Sequence, residues 1–226
     1  MDSPSRSNGS RTRPAADGAS RPPGRSRVAG RLDRVITTVL AGEPSAVLNV
    51  TGPELLADAG SVAATIGRSL DRQDVGVTGH WLLHELLRRS MVYDDLVNAL
   101  QSPNSLTRAG AARICGAARL TDSVVWLGDL LEDPSPAVRE AAVRGLAQHG
   151  GRRAVDILVA SGDRVRLHRL AIALAKAASD FDIEALMRQP VSEHAAVATV
   201  MACGLRHDVL RISPLLGIAH DRRWPM

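Results

Sequence analysis

Two histidines, His80 and His84, stand four residues apart in "HWLLHE". On a helix that spacing puts both imidazoles on one face, where they can supply two of the ligands of a zinc ion. A zinc site needs a third protein ligand. Asp94 and Asp95 follow in the chain, but nothing in the sequence brings them to the histidines. The order also departs from H-E-x-x-H, because Glu85 follows the second histidine and points off the shared face. His80 and His84 are therefore weak metal candidates. The plainer expectation is a half-exposed pair beside the apolar stripe Leu82, Leu83, Leu86 and Leu87.

The other residues with a chemical role to offer are arginines. Arg113, Arg144, Arg152 and Arg153 fall in or just after two alanine-rich segments. Together they would form a basic strip for an acidic peptide. Against that, Glu140 and Asp156 would neutralise much of the charge, and Glu140 with Arg144 is an i, i+4 pair that stabilises a helix by a few tenths of a kcal/mol. No P-loop, no G-x-S-x-G, no dinucleotide fingerprint and no Cys-x-x-Cys occurs in the sequence. No catalytic residue and no cofactor is assigned. Cys115 and Cys203, far apart in alanine-rich segments, are expected to be buried free thiols. Trp81 and Trp126 are expected in the core, with partner anchoring as the alternative. Trp224 lies outside any recognisable helix.

The chain has 226 residues, 45% apolar and 23% charged, ordinary for a soluble globular protein. No apolar run reaches the 18 or so residues of a membrane span, so a cytoplasmic location is the default expectation. The charge distribution is uneven. Residues 1–34 hold eight arginines against Asp2, Asp17 and Asp33, a net of +5 within a chain total of +4, so the remaining 192 residues carry −1. The basic character belongs to the tail. A near-neutral body with only five aromatic residues makes nucleic acid an improbable partner, since single strands need stacking platforms. Residues 1–29 hold almost nothing apolar and are expected to be disordered.

From Gly30 the periodicity is helical. Leu32, Val35, Ile36, Val39 and Leu40 make one stripe, stopped by Gly42 and Pro44. "TGPELLADAGSVAATIGRSL" follows as a helix with Thr51 as its cap. Thr78 is placed to cap "HWLLHELLRR", whose final arginines suit the negative end of the helix dipole. No sustained alternation of period two occurs, so no strand is predicted.

A repeat begins near Tyr93. Pro103 corresponds to Pro134, Arg108 to Arg139, Ala111 to Ala142 and Arg113 to Arg144, each 31 residues apart. Fainter copies start at "VRLHRLAIALAKAA" and "SEHAAVATVMACG". A fixed helix–turn–helix period means stacked units that bury each other's apolar faces. Small residues such as Ala141, Ala142 and Gly145 allow close approach, while Val138, Ala142 and Leu146 should face the core and Glu140 and Arg144 outward. The predicted fold is thus all-α, a solenoid of stacked antiparallel helix pairs. Its expected divisions are a tail at 1–29, capping or degenerate helices at 30–92, and repeats at 93–226.

The segment "DPSPAVREAAVRGLAQHGG" resembles the short HEAT-like repeats of phycobilisome lyases, through Asp133, Pro134, Val138, Arg139, Ala142, Leu146 and Gly150. In that family the turn Asp and the helix Arg form a hydrogen-bonded ladder between neighbouring repeats. Here Ser102 stands where an Asp would precede Arg108, and later copies have slipped spacing, so the resemblance implies an interrupted ladder. The repeat, which builds extended surfaces, and the lack of catalytic groups point to a non-enzymatic scaffold or adaptor, whose expected partner is another protein, in one form bearing an acidic segment. An enzyme of the bilin-lyase kind is the alternative, and nucleic-acid binding through the basic tail a further one.

Overall fold

The computed structural model describes residues 26–43, 46–71 and 76–211, and those residues form twelve α-helices and three short 3-10 turns, with no strand among them. The N-terminal tail expected at 1–29 lies almost wholly outside the described residues, as does Trp224. Ser26 is described: its hydroxyl accepts from the backbone N–H groups of Val28 and Ala29 and starts α1 (Arg27–Leu40). Leu32, Ile36 and Val39 form the buried stripe, and Gly42 with φ +99° follows the helix end.

The segment expected as one helix is two, α2 (Gly52–Ala57) and α3 (Ala59–Leu70). Thr51 does cap the first, in a reciprocal box with Glu54. The break falls at Asp58, whose φ of −130° and ψ of 39° leave the helical range. Its effect is to separate two packing jobs. The start of α2 lies against Asp95, whose carboxylate accepts from the Gly52 N–H at 3.1 Å, while α3 packs on α1. The next helix, α4 (Gly76–Arg89), begins before Thr78, which therefore lies inside the first turn and is not the cap.

Four antiparallel pairs follow: α5 (Val92–Leu100) with α6 (Ser105–Ala117), α7 (Ser123–Asp129) with α8 (Pro136–His149), α9 (Gly151–Ala160) with α10 (Leu167–Ala177), and α11 (Asp180–Arg188) with α12 (Glu193–Leu205). The second helices stack in one row, α3, α6, α8, α10, α12, and the first helices lie behind them. Caps punctuate the units: Asn104 for α6, a Ser179–Asp182 box for α11 and Ser192 for α12. Each removes an unpaired N–H from a helix start, about 1 kcal/mol apiece.

One apolar core runs the length of the stack, from Leu32 to Cys203. Val138, Ala142 and Leu146 are fully buried, as their spacing requires. The contact of α6 with α8 is the closest in the stack. A Cβ on Gly116 would fall 2.2 Å from the Gly145 Cα, so only hydrogen fits there. Cys115 and Cys203 are buried free thiols, and burial pushes the Cys115 thiol up to about 12. Trp126 packs partly buried against the core, but Trp81 is 60% exposed. The core reading of Trp81 is thus corrected: α4 turns Leu83, Leu86 and Leu87 inward, and Trp81 sits off that stripe.

Candidate functional site

The ladder expected between repeats exists as one carboxylate rung. Asp133 stands two residues before Ser135, the cap position of α8. Arg108 stands four residues after Asn104, the cap of α6. Arg108 donates through Nε to Asp133 Oδ2 at 2.7 Å and through Nη2 to Oδ1 at 3.0 Å. Its Nη1 donates backward to the Ser102 and Pro103 carbonyls at 2.7 and 3.1 Å. The guanidinium thus uses three nitrogens to join two successive turns. Asp133 Oδ1 also accepts from the Ser135 N–H at 2.8 Å. The hydrogen bond from Arg108 holds the Asp133 carboxyl below its ordinary range, burial opposing it, and the same pairing raises Arg108.

Arg139 repeats half of this geometry. Its Nη1 donates to the Asp133 and Pro134 carbonyls at 2.7 and 3.0 Å, as Arg108 does one unit earlier. The Ser102 substitution matters less than the sequence implies, since a backbone carbonyl takes the bond on that side. The interruption lies on the other side, where Arg139 meets the third unit.

The histidines do not converge on a metal position. His80 Nδ1 lies 2.7 Å from the Gly76 carbonyl and Nε2 lies 2.8 Å from Arg119 Nη1, so both ring nitrogens are engaged. With Nδ1–H donating to the carbonyl, Nε2 accepts from the guanidinium. Arg119 also donates to Asp71 at 3.0 Å and to the Gln148 carbonyl at 3.1 Å, tying α4 to the ends of α3 and α8. His84 stacks edge-on against Tyr93, ring centroids 5.5 Å apart, with Nε2 buried and without a hydrogen-bond partner among the described residues. Among the described residues no group of three or more His, Cys, Asp or Glu side chains is placed to hold a metal.

The four arginines of the expected strip are divided between the two rows. Arg113 and Arg144 occupy equivalent places on α6 and α8 in the second-helix row. Arg113 is half-buried, with Nε enclosed and unpaired among the described residues. Arg144 is exposed and donates to Glu140 at 2.9 Å. Arg152 and Arg153 belong to α9, behind that row. Arg152 pairs with Asp156 and, at 3.5 Å, with Asp182. Arg153 lines a shallow groove shared with Asp129 and Glu132. Sequence reasoning passed over Arg169, Lys176 and the 51% exposed Ile172, which share the outward side of α10. Their i, i+3, i+7 spacing was the available signal.

The described chain is therefore an α-solenoid of stacked helix pairs with an arginine-bearing second-helix face. Residues 93–177 match the family model described as HEAT repeats, the same span in which the 31-residue correspondence and the Arg108–Asp133 rung occur. A search of curated proteins and a search of solved structures each returned no match. No helix among the described residues is long and apolar enough to cross a membrane.

Proposed function

We propose that this protein is a non-enzymatic scaffold or adaptor that holds a partner protein against its second-helix row. The observation that carries the reading is the mixed surface of α8 and α10, where exposed Ile172 lies between Arg169 and Lys176 along α10, and Arg169 shares Glu140 with Arg144 of α8. Repeat solenoids present extended surfaces of this kind, and an apolar centre with basic flanks suits a partner that brings apolar and acidic residues together. Arg113 contributes the edge of the same face, one unit upstream. The resemblance to phycobilisome lyases lies in the structural repeat from Asp133 to Gly150 and not in any catalytic motif; transfer of a bilin to an acceptor protein would replace the scaffold reading with an enzymatic one.

The test is affinity capture from lysate of the native host after nuclease treatment, with the full chain and with Arg144→Glu combined with Ile172→Asp. Both positions are exposed, so the fold should survive. A discrete protein retained by the native chain and lost by the double variant supports the face. Equal retention refutes it. A capture that vanishes with nuclease or moderate salt assigns the activity to nucleic acid and the basic tail.

A further inference from the structure

We propose that the open second rung of the ladder is a carboxylate-binding cleft, filled by an aspartate or glutamate of the partner's acidic segment; the inference deepens the scaffold reading and rests on it.

The argument is a comparison of two rungs within one chain. In the first, Arg108 fixes Nη1 on backbone carbonyls and turns its Nε–Nη2 edge to Asp133. In the second, Arg139 fixes Nη1 in the same way. Its Nε and Nη2 have no acceptor among the described residues. The place that should supply one is two residues before the cap position of α10. That cap position is Arg166, so the place is Arg164. An arginine stands where the ladder requires an aspartate. Arg164 offers no acceptor and pairs instead with Glu132 at 3.0 Å. The neighbouring Asp163 does not substitute: it is 94% exposed and paired with His194 at 3.2 Å.

What remains is a cleft of about 210 Å³ between α8 and α10. Arg139, Arg164, Arg166 and Arg169 line it, with Val143 as an apolar wall and Glu140 as the one acid. Glu140 is already occupied by Arg144 at 2.9 Å and Arg169 at 3.2 Å. The cleft therefore carries excess positive charge, and one guanidinium in it is held by the backbone with a two-nitrogen edge unused. That edge matches a carboxylate bidentately, as Arg108 demonstrates with Asp133. The volume accommodates a whole acidic side chain, and the Val143 wall takes its methylenes. A carboxylate is chosen over a phosphate because the filled rung of the same chain holds one.

The test uses the full chain and a fluorescein-labelled hexa-aspartate peptide at low salt, read by anisotropy. Arg139→Gln should weaken binding about tenfold or more, while Arg152→Gln, the same charge loss on α9, should leave it within about twofold. Arg164→Asp installs the missing rung, and should abolish peptide binding while raising Tm. The rise in Tm separates an occluded cleft from a simple reversal of charge. Melting curves identify a misfolded Arg139→Gln, in which case Arg166→Gln, on an exposed side chain, takes its place. Equal weakening by Arg139→Gln and Arg152→Gln would mean general attraction and overturn the cleft. Competition by inorganic phosphate at far lower concentration than acetate would overturn the carboxylate assignment. A captured partner indifferent to Arg139→Gln removes the cleft and leaves the scaffold reading standing. Peptide binding that obeys the predicted pattern, with no protein ever captured, does the reverse.

Discussion

Gly116→Ala is the sharpest perturbation of this stack. The added Cβ would lie 2.2 Å from the Gly145 Cα and 2.8 Å from the Gly145 carbonyl carbon and oxygen. Carbon atoms in contact sit about 3.5–4.0 Å apart, so α6 and α8 must separate by roughly 1.3–1.8 Å. The obstacle is backbone on a buried helix, so no rotamer change relieves it. Overpacking by one methyl commonly costs about 1–3 kcal/mol, and an immovable neighbour puts this case at about 3. For a body of this size each kcal/mol moves Tm by roughly 2–4 °C, giving a fall of about 6–12 °C. Gly67→Ala on α3 is the matched control. Its new Cβ meets Gln148 Nε2 at 4.0 Å, an ordinary contact. There helix propensity alone acts, and a gain of up to about 1 kcal/mol is expected. Differential scanning calorimetry of the two variants should show shifts of opposite sign. A Gly116→Ala protein that melts within about 2 °C of the native chain would refute the close approach of α6 and α8.

Three further outcomes follow from the same geometry. Asp133→Asn keeps the shape of the rung but not its charge. The folded carboxyl is lowered from its usual value of 3.8, so its contribution is present above that value and lost as pH falls through the lower folded one. Urea titrations should therefore show native and Asp133→Asn stabilities converging below about pH 4, and a gap independent of pH would contradict the assignment. Leu146→Ala, at a fully buried site, should cost about 2–5 kcal/mol by chemical denaturation, whereas Trp81→Ala, at an exposed one, should fall within about 0.5. Cys115, fully buried with its thiol pushed up to about 12, should resist a thiol reagent at pH 8 in the native chain and react once denatured; immediate modification would show that α6 is not enclosed.

Local signals in the sequence located most of the helices, because stripes such as Leu32–Ile36–Val39 and turns such as Asp133–Pro134 act within a few residues. The break at Asp58 was hidden, since every residue from Gly52 to Leu70 tolerates a helix. What bends the chain there is packing: α2 answers to Asp95, 43 residues away from Gly52. Trp81 was misplaced for a similar reason. Periodicity says which face is apolar, but a tryptophan one step off that face is settled only by what lies beside it. The rung at Arg108 was legible from the repeat, including the doubt over Ser102. It was not legible that each arginine bonds the carbonyl of its own turn, Ser102 for Arg108 and Asp133 for Arg139, because the sequence does not display backbone acceptors.

The third unit shows how a repeat yields a surface. Where neighbouring units keep the glycine contact and the rung, little is left free: α6 and α8 close on glycine, and Arg108 spends its bonding capacity on Asp133 and two carbonyls. Such a junction is stable and chemically silent. At the next junction the aspartate is missing: Arg164 stands two residues before the cap position of α10, the place Asp133 holds before α8. Its loss leaves a fixed guanidinium edge facing the cleft, with Arg164, Arg166 and Arg169 around it. On the proposed reading, the departure from the repeat is where a carboxylate of the partner would bind, against the helices that the regular units before it pack together.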